Sequence, residues 1–243
     1  MNKKQTLEKL KNLKILFETG KIPALHNHEV NPGLEKGSRE NYLYFIMTCS
    51  LNFQRISPNT WAAALKTWND DETQFVFFPE KVINTDDEIL RKALLKHKLA
   101  LQPNKHIQIW KTIMQTWHKY FENDPRNLFK KGNYEVENIL NIVQKEFKKD
   151  FPYLSGLKLS NYFLFILLQY SDLKLKDTYK ISIIPDTHIM QATEVLGILP
   201  KSEINPTNVE LAWKKLLENT EFSPIDFHSI LWNWSRNNFI PNV

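Results

Sequence analysis

Residues 151–170 read FPYLSGLKLSNYFLFILLQY, and residues 181–199 read ISIIPDTHIMQATEVLGIL. The first stretch predicts a turn at Gly156 and then a helix that is apolar on nearly all sides, which is typical of a buried central helix. The second predicts a helix that begins at Asp186, because an aspartate before an apolar run is a good N-cap. A polar spacer, residues 171–180, separates the two helices. These segments indicate a helical protein.

The rest of the chain carries the same kind of pattern. Apolar residues recur at helical spacing in the segments that we predict as helices: Thr6–Phe17, Arg39–Gln54, Ser57–Trp68, Asp86–Leu99, Lys105–Phe121, Glu135–Phe147, Asn208–Leu217 and Pro224–Asn237. We expect Ser57 and Thr85 to cap two of these helices, and residues 20–37 to form a loop. Phe75–Phe78 has the composition of a short strand but lacks a partner. The predicted fold class is all-α.

Composition and charge narrow the possible functions. A hydrophobic fraction of 42% over 243 residues is enough for a folded chain with a substantial core. The net charge of +5 suits a partner that carries phosphates, although lysine-rich proteins without a nucleic-acid role are common. The sequence contains no glycine-rich phosphate-loop motif, which argues against nucleotide-loop chemistry.

Metal sites and membrane insertion are not predicted either. A single cysteine, Cys49, excludes an internal disulfide and any zinc or iron–sulfur site built from four cysteines. The seven histidines lack the spacing of metal ligands. The N-terminus has no apolar signal core, and the longest apolar run, Leu159–Leu168, is too short to span a bilayer. We expect a cytoplasmic monomer, associated with the nucleoid in a prokaryote, that does not enter a membrane.

Two ionisable residues stand at the starts of the two quoted helices. Lys158 borders an apolar helix near its positive end, and both desolvation and positive potential make an amine nucleophilic. Asp186 brings a carboxylate to the start of the second helix. Together they indicate an enzyme that uses amine-based covalent chemistry. The alternatives are a lysine that only touches phosphate and an aspartate that only caps its helix.

The same residues resemble the signature of the helix-hairpin-helix (Gly/Pro-Asp) DNA glycosylase superfamily. The residues 154–158, LSGLK, are similar to the end of the family hairpin, and the residues 185–189, PDTHI, are similar to the second half of the signature. Leu196 and Gly197 resemble the small turn that closes the following helix. The direct match covers about a fifth of the chain.

Two features depart from the family pattern. Leu154 stands where the hairpin usually has the first of two glycines, and the interval from Lys158 to Asp186 is 28 positions, longer than is common in the superfamily. The archaeal 8-oxoguanine DNA glycosylase (AGOG) branch also has a widened interval, and the chain looks most like that branch or a bacterial relative. Several other branches carry an iron–sulfur cluster, which this chain cannot hold.

The resemblance implies a fold and an organisation. It implies one glycosylase domain, residues 1–243, made of two helical lobes, with the hairpin and the catalytic segment at residues 147–199. The middle of the chain would form the first lobe, and the N-terminal helix would join the residues after Asp186 in the second. The apolar helix after Lys158 would cross between the lobes.

The resemblance also implies roles for individual residues. Lys158 would attack C1′ of an extruded nucleotide and form a Schiff base, and Asp186 would stabilise positive charge on the sugar. Backbone N–H groups near Gly156 would hold a phosphate of the DNA strand, with Ser155 and His188 also in contact with DNA. No metal or organic cofactor is needed, because the imine serves as the electron sink.

The C-terminal string from Pro224 to Trp234 is a second unusual feature. One interpretation is a base pocket, in which Trp232 or Trp234 stacks on the base and Asp226 or His228 bonds to its edge. The other is a core helix with a buried tryptophan and an Asp226 cap. We do not expect Asp226 and His228 to bind a metal ion, because the sequence pattern indicates no third ligand. We expect five further tryptophans to be core residues: Trp61, Trp68, Trp110, Trp117 and Trp213.

The sequence therefore predicts a DNA glycosylase with lyase activity. Its expected partner is double-stranded DNA with a damaged base, with 8-oxoguanine as the expected lesion from the branch resemblance. Two other classes stay open: a helix-hairpin-helix module that binds DNA without cleaving it, and a glycosidase that acts on modified nucleosides.

Overall fold

In the computed structural model the described residues, 3–24 and 28–243, form helices and connecting turns without a strand. The all-α prediction is confirmed. Residues 25–27, part of the loop predicted over 20–37, lie outside the described residues. No helix in the described ranges is long and apolar enough to cross a membrane.

The α-helices differ widely in length, from one turn to more than four. In chain order they are α1 (Lys3–Glu18), α2 (Arg39–Ser50), α3 (Ser57–Trp68), α4 (Pro79–Val82), α5 (Asp87–Lys96), α6 (Lys105–Phe121), α7 (Arg126–Lys131), α8 (Val136–Asn141), α9 (Leu157–Tyr170), α10 (Thr187–Val195), α11 (Pro206–Leu217) and α12 (His228–Arg236). The bounds of α6 agree with the prediction, because its apolar face repeats at helical spacing along the whole segment.

Two predicted caps are wrong by one residue. Ser57 is the first residue of α3 and Ile56 precedes it as the cap, while the Ser57 hydroxyl accepts a hydrogen bond from the Asn52 side chain at 3.1 Å. Asp86, and not Thr85, caps α5, because its carboxylate accepts from the Glu88 amide at 2.8 Å. The start of α3 therefore has no side-chain cap, whereas the aspartate next to Thr85 caps α5.

The strand considered for Phe75–Phe78 is also wrong. The segment Gln74–Phe77 forms a 3₁₀ turn whose Val76 and Phe77 side chains are buried. The Val76 carbonyl accepts a hydrogen bond from the indole of Trp110 at 2.8 Å. With no neighbouring strand to supply hydrogen bonds, the segment satisfies its backbone through a local turn and this tertiary bond.

Some predicted helices are interrupted. The one predicted over Glu135–Phe147 continues from α8 as a π-helical turn, Ile142–Glu146. The last one begins as a 3₁₀ turn, Pro224–Phe227, before α12. The helix predicted to reach Gln54 ends four residues earlier, and Gln54 itself has a positive φ of 52° that a helix cannot contain.

The chain divides into two compact units. The first unit combines residues 1–26 with residues 178–243. Its core joins α1 to the C-terminal helices through buried apolar side chains that include Leu10, Leu13, Ile189, Trp213, Leu231 and Trp234. Within it α10 packs along α12, and the Trp213 indole donates to the Thr193 hydroxyl at 2.9 Å in the interior.

The second unit is continuous, residues 27–177. Its central pair is α2 packed on α9, and both helices are buried along most of their length. Aromatic rings fill the space around them, with Tyr44 in edge contact with Trp68 and Phe45 stacked on Tyr170 at 5.3 Å between ring centroids. The continuously apolar sequence of α9 reflects this central position.

The predicted hairpin lies in the second unit. It consists of α8 with its π-helical turn, a connection over residues 147–156, and α9. The Thr116 hydroxyl of α6 donates to the Asp150 carbonyl at 2.8 Å, and Trp117 packs against Phe151 with ring centroids 4.8 Å apart. The hairpin connection therefore packs against α6 and is hydrogen-bonded to it.

Candidate functional site

Lys158 is the second residue of α9, after the cap residue Gly156 and Leu157. Its side chain is exposed, although the following Leu159 and Ser160 are buried. Within the described ranges no side chain or carbonyl forms a hydrogen bond or ion pair with its ammonium group. The predicted desolvation of this lysine is absent, since its side chain leaves the apolar core; the positive end of a 14-residue helix remains beside it.

The turn before Lys158 uses its own polar groups differently from the prediction. The Gly156 amide donates to the Tyr153 carbonyl at 2.9 Å, and the Ser155 amide donates to the Phe151 carbonyl at 2.8 Å. The Ser155 hydroxyl donates to the Lys148 carbonyl at 3.1 Å. The predicted phosphate donors at Gly156 and Ser155 are therefore already engaged.

The first turn of α9 offers the donors instead. Amides at the start of a helix have no partner inside it, and the first intrahelical acceptor, the Gly156 carbonyl, is taken by Ser160 at 2.9 Å. The amides of residues 157–159 thus point out of the helix end, next to the Lys158 ammonium group. A phosphate or another anion at this end would meet both backbone dipoles and a cation.

Gly156 lies at a close approach of the backbone and not at an unusual backbone angle. Its φ of −70° is open to any residue. A Cβ atom at this position would lie 3.1 Å from the Tyr153 carbonyl oxygen. Tyr153 carries the positive φ of the turn, 65°, so the turn closes without a glycine at position 154.

A partly buried polar cluster begins one helical turn after Lys158. Tyr162 is four residues further on the same face of α9, and its hydroxyl accepts from the Trp61 indole at 3.1 Å. The Glu29 carboxylate accepts from the hydroxyls of Tyr162 and Tyr170, each at 3.4 Å. Burial raises the pKa of the Tyr162 phenol well above its ordinary value, so that it stays a donor at neutral pH.

Sequence reasoning missed this cluster. It interpreted Trp61 only as a core residue and left Glu29 in a loop. The available signal was a tyrosine inside the otherwise apolar α9, because a buried phenol needs a hydrogen-bond partner. The identity of that partner, Glu29, depends on how the loop before α2 packs on α9.

Asp186 lies in the first unit as the N-cap of α10. Its Oδ1 atom accepts from the Ile189 amide at 2.9 Å. No described residue donates a hydrogen bond to the other oxygen, Oδ2, and the side chain is half-buried after the buried Pro185. The capping alternative is thus observed, and the second oxygen leaves the carboxylate able to take part in chemistry.

His188 and Trp232 come together beside Asp186. The rings of His188 and Trp232 meet edge to face, with centroids 5.5 Å apart. The Nδ1 atom of His188 is hydrogen-bonded to the Ser235 hydroxyl at 3.1 Å. Burial lowers the pKa of His188, with a smaller contribution in the same direction from Arg236, against the opposing charge of Asp186. The imidazole is therefore neutral at pH 7.

The surroundings of this pair were not predicted. Arg236 lies over the Trp232 ring with its guanidinium carbon 4.8 Å from the ring centroid. The Ser235 hydroxyl donates to the Gln191 side-chain oxygen at 3.2 Å. The four-residue interval between Trp232 and Arg236 places them on one face of α12, and it is the signal that could have identified the contact.

The other predicted pocket residues take structural positions. Asp226 forms a capping box with Ser223, whose amide donates to the Asp226 carboxylate at 2.8 Å. His228 is buried at the start of α12. Trp234 is buried, and its indole donates to the Pro241 carbonyl at 2.9 Å. Trp232 of this set contacts another predicted site residue, His188.

No model of a known protein family matches this chain, and no curated protein does. The candidate residues are therefore interpreted from their positions and chemistry. Lys158 and the Glu29–Tyr162 cluster belong to the second unit, while Asp186, His188 and Trp232 belong to the first. In the described part of the chain, no group of three or more histidine, cysteine, aspartate or glutamate side chains could hold a metal ion.

Proposed function

We propose that this protein is a DNA glycosylase of the helix-hairpin-helix kind with an associated lyase activity, in which Lys158 is the nucleophile. The observation that carries the proposal is the placement of Lys158. Its amine is exposed at the positive end of a buried helix, one turn ahead of a polar cluster that can bond to a base. The resemblance of residues 154–158 and 185–189 to the family signature supports the same assignment.

Lys158 first gives up its ammonium proton to solvent, and its neutral amine then begins the reaction. Its nitrogen bonds to C1′, the C1′–N bond to the damaged base breaks, and the base leaves with that electron pair and takes up a proton. Opening of the sugar then breaks the C1′–O4′ bond, places a proton on O4′ and creates the imine. Loss of a proton from C2′ expels the 3′ phosphate, which cleaves the strand.

Asp186 supplies the negative charge that these reaction steps require. Positive charge develops on the sugar as the base departs, and a fixed carboxylate stabilises that charge more effectively than water does. The half-buried position of Asp186 and its uncommitted Oδ2 atom support this role. The same carboxylate can cap α10 through Oδ1 and face the sugar through Oδ2.

The Glu29 cluster favours the binding of a base that carries N–H donors. The Glu29 carboxylate is an acceptor, and the phenols of Tyr162 and Tyr170 hold it in place at 3.4 Å. Guanine-type bases present such donors, and an extruded base is bonded along its exposed edge. We therefore propose an oxidised purine, with 8-oxoguanine first, as the substrate.

Borohydride trapping tests the proposal. Wild-type protein would be incubated with labelled duplex that carries 8-oxoguanine opposite cytosine, beside Lys158→Gln and the control Lys66→Gln, another exposed lysine of the second unit. We expect a covalent complex with wild type and with the control. The yield with Lys158→Gln should be at least ~100-fold lower, because general acid–base and nucleophilic catalysis contribute rate factors of this size.

Other results would point elsewhere. Equal trapping by Lys158→Gln would remove the lysine from the mechanism. If a panel of lesions gave neither base release nor trapping while duplex binding persisted, the protein would be a binding module. Turnover of free modified nucleosides without salt-dependent duplex affinity would instead indicate a nucleoside glycosidase.

A further inference from the structure

A basic groove lies beside the hairpin in the second unit. It has a volume of about 580 Å³ and runs between α5, the start of α6 and the hairpin connection. Four cations line it, contributed by Arg91, Lys105, Lys111 and Lys149, and the carboxylate of Asp87 is on its wall. The proposed chemistry at Lys158 uses none of these side chains.

Two of the cations are already paired. Lys111 forms an ion pair with Asp87, and Arg91 forms one with Glu88 at 3.1 Å. Neither Lys105 nor Lys149 has a carboxylate partner among the residues that the structure describes.

The positive potential of the groove therefore comes mainly from these two exposed lysines. The ammonium group of Lys105 lies 5.4 Å from the centroid of the Tyr153 ring, which holds it at the hairpin connection. A ring at this distance keeps the cation in place without neutralising it. Lys105 and Lys149 thus remain available to an anion from outside the protein.

The groove lies next to the turn that precedes α9, because Tyr153, whose ring contacts Lys105, accepts from the Gly156 amide at 2.9 Å. Lys149 is part of the hairpin connection itself. The bond from Thr116 to the Asp150 carbonyl, and the packing of Trp117 on Phe151, attach that connection to α6, which supplies Lys105. The groove, which Lys149 and Pro152 help to line, therefore adjoins the same hairpin connection that leads into α9.

We propose that the basic groove binds the phosphodiester backbone of the DNA that the hairpin holds, with Lys105 and Lys149 each contacting a phosphate. The choice of DNA as the ligand rests on the proposed function. Uncompensated lysines beside neutral polar groups suit backbone contact, which positions DNA without reading its sequence. A small nucleotide is a poorer fit, because the chain has no glycine-rich loop to enclose its phosphates.

The test compares two double variants of the full chain. Lys105→Gln/Lys149→Gln removes both groove contacts, and Lys66→Gln/Lys130→Gln removes the same charge from exposed positions outside the groove. Affinity for an undamaged duplex would be measured from 0.05 to 1 M salt. Losing two contacts lowers the slope of log K against log salt by about 1.8, which corresponds to ~30-fold weaker binding at 0.15 M if the curves meet at 1 M.

The outcomes separate this proposal from the catalytic one. The groove proposal is overturned if the groove variant keeps the wild-type slope, if both double variants lose affinity equally, or if wild type does not bind DNA. Wild type that binds but never traps would contradict the catalytic proposal alone. The control variant Lys66→Gln/Lys130→Gln should trap like wild type, and equal thermal unfolding of all variants would show that folding is intact.

Discussion

Lys158 and Tyr162 stand one turn apart on α9, and their environments are opposite. The amine is exposed to solvent, while the phenol is buried and bonded to Trp61 and Glu29. The first turn of α9 thus leaves the core, and the next turn returns to it.

Asp186 allows its structural and chemical roles to be separated. Asp186→Asn keeps a good N-cap and removes the charge, so we expect unfolding in urea to change by less than about 0.5 kcal/mol. Base release should fall at least ~100-fold, because charge stabilisation is lost. Asp186→Ala should cost about 1 kcal/mol of stability as well. If the asparagine variant kept full activity, Asp186 would be a cap and nothing more.

His188 should make stability depend on pH. Its pKa is lowered by burial from the ordinary value of 6.5, so the unfolded chain binds the proton more readily. Stability that is complete above pH 6.5 is therefore lost as the pH falls from 6.5 through the folded pKa. Urea unfolding between pH 7.5 and 5.5 should show this loss, and His188→Gln should reduce it. His118→Gln, at an exposed position, serves as the control.

At the scale of helices, the starts and ends decide where the candidate residues lie. α10 begins after its cap residue Asp186. It is followed by Gly197, whose φ of 67° is a conformation that glycine adopts without strain. The turn from Tyr153 to Gly156 sets the direction of α9. These are short-range effects, and for this reason the α9 and α10 starts could be predicted from neighbouring residues.

Gly132, between α7 and α8, tests how tightly two helices are joined. A Cβ atom there would lie 2.5 Å from the Cγ1 atom of the buried Ile139. Gly132→Ala should therefore destabilise the protein by about 1–3 kcal/mol through overpacking. Urea unfolding at pH 7.5 checks this value, with Ala62→Ser on the exposed side of α3 as a control. An unchanged midpoint would mean that α8 can shift without cost.

At the scale of the whole molecule, the proposed catalytic residues belong to different compact units. The hairpin with Lys158 is part of the continuous second unit, and Asp186 is part of the first, which both chain ends help to form. The segment predicted over residues 147–199 thus contributes to both units.

The sequence alone determined the all-α class, the bounds of α6, the cap at Asp186 and the position of Lys158 at a helix start. Each of these follows from periodicity or from capping within a few residues. Tertiary structure alone decided which distant groups meet: Glu29 with Tyr162, and the lysines that line one groove. It also decided that Lys158 is exposed. Burial and long-range contacts depend on how helices pack, and spacing along a single chain does not contain that information.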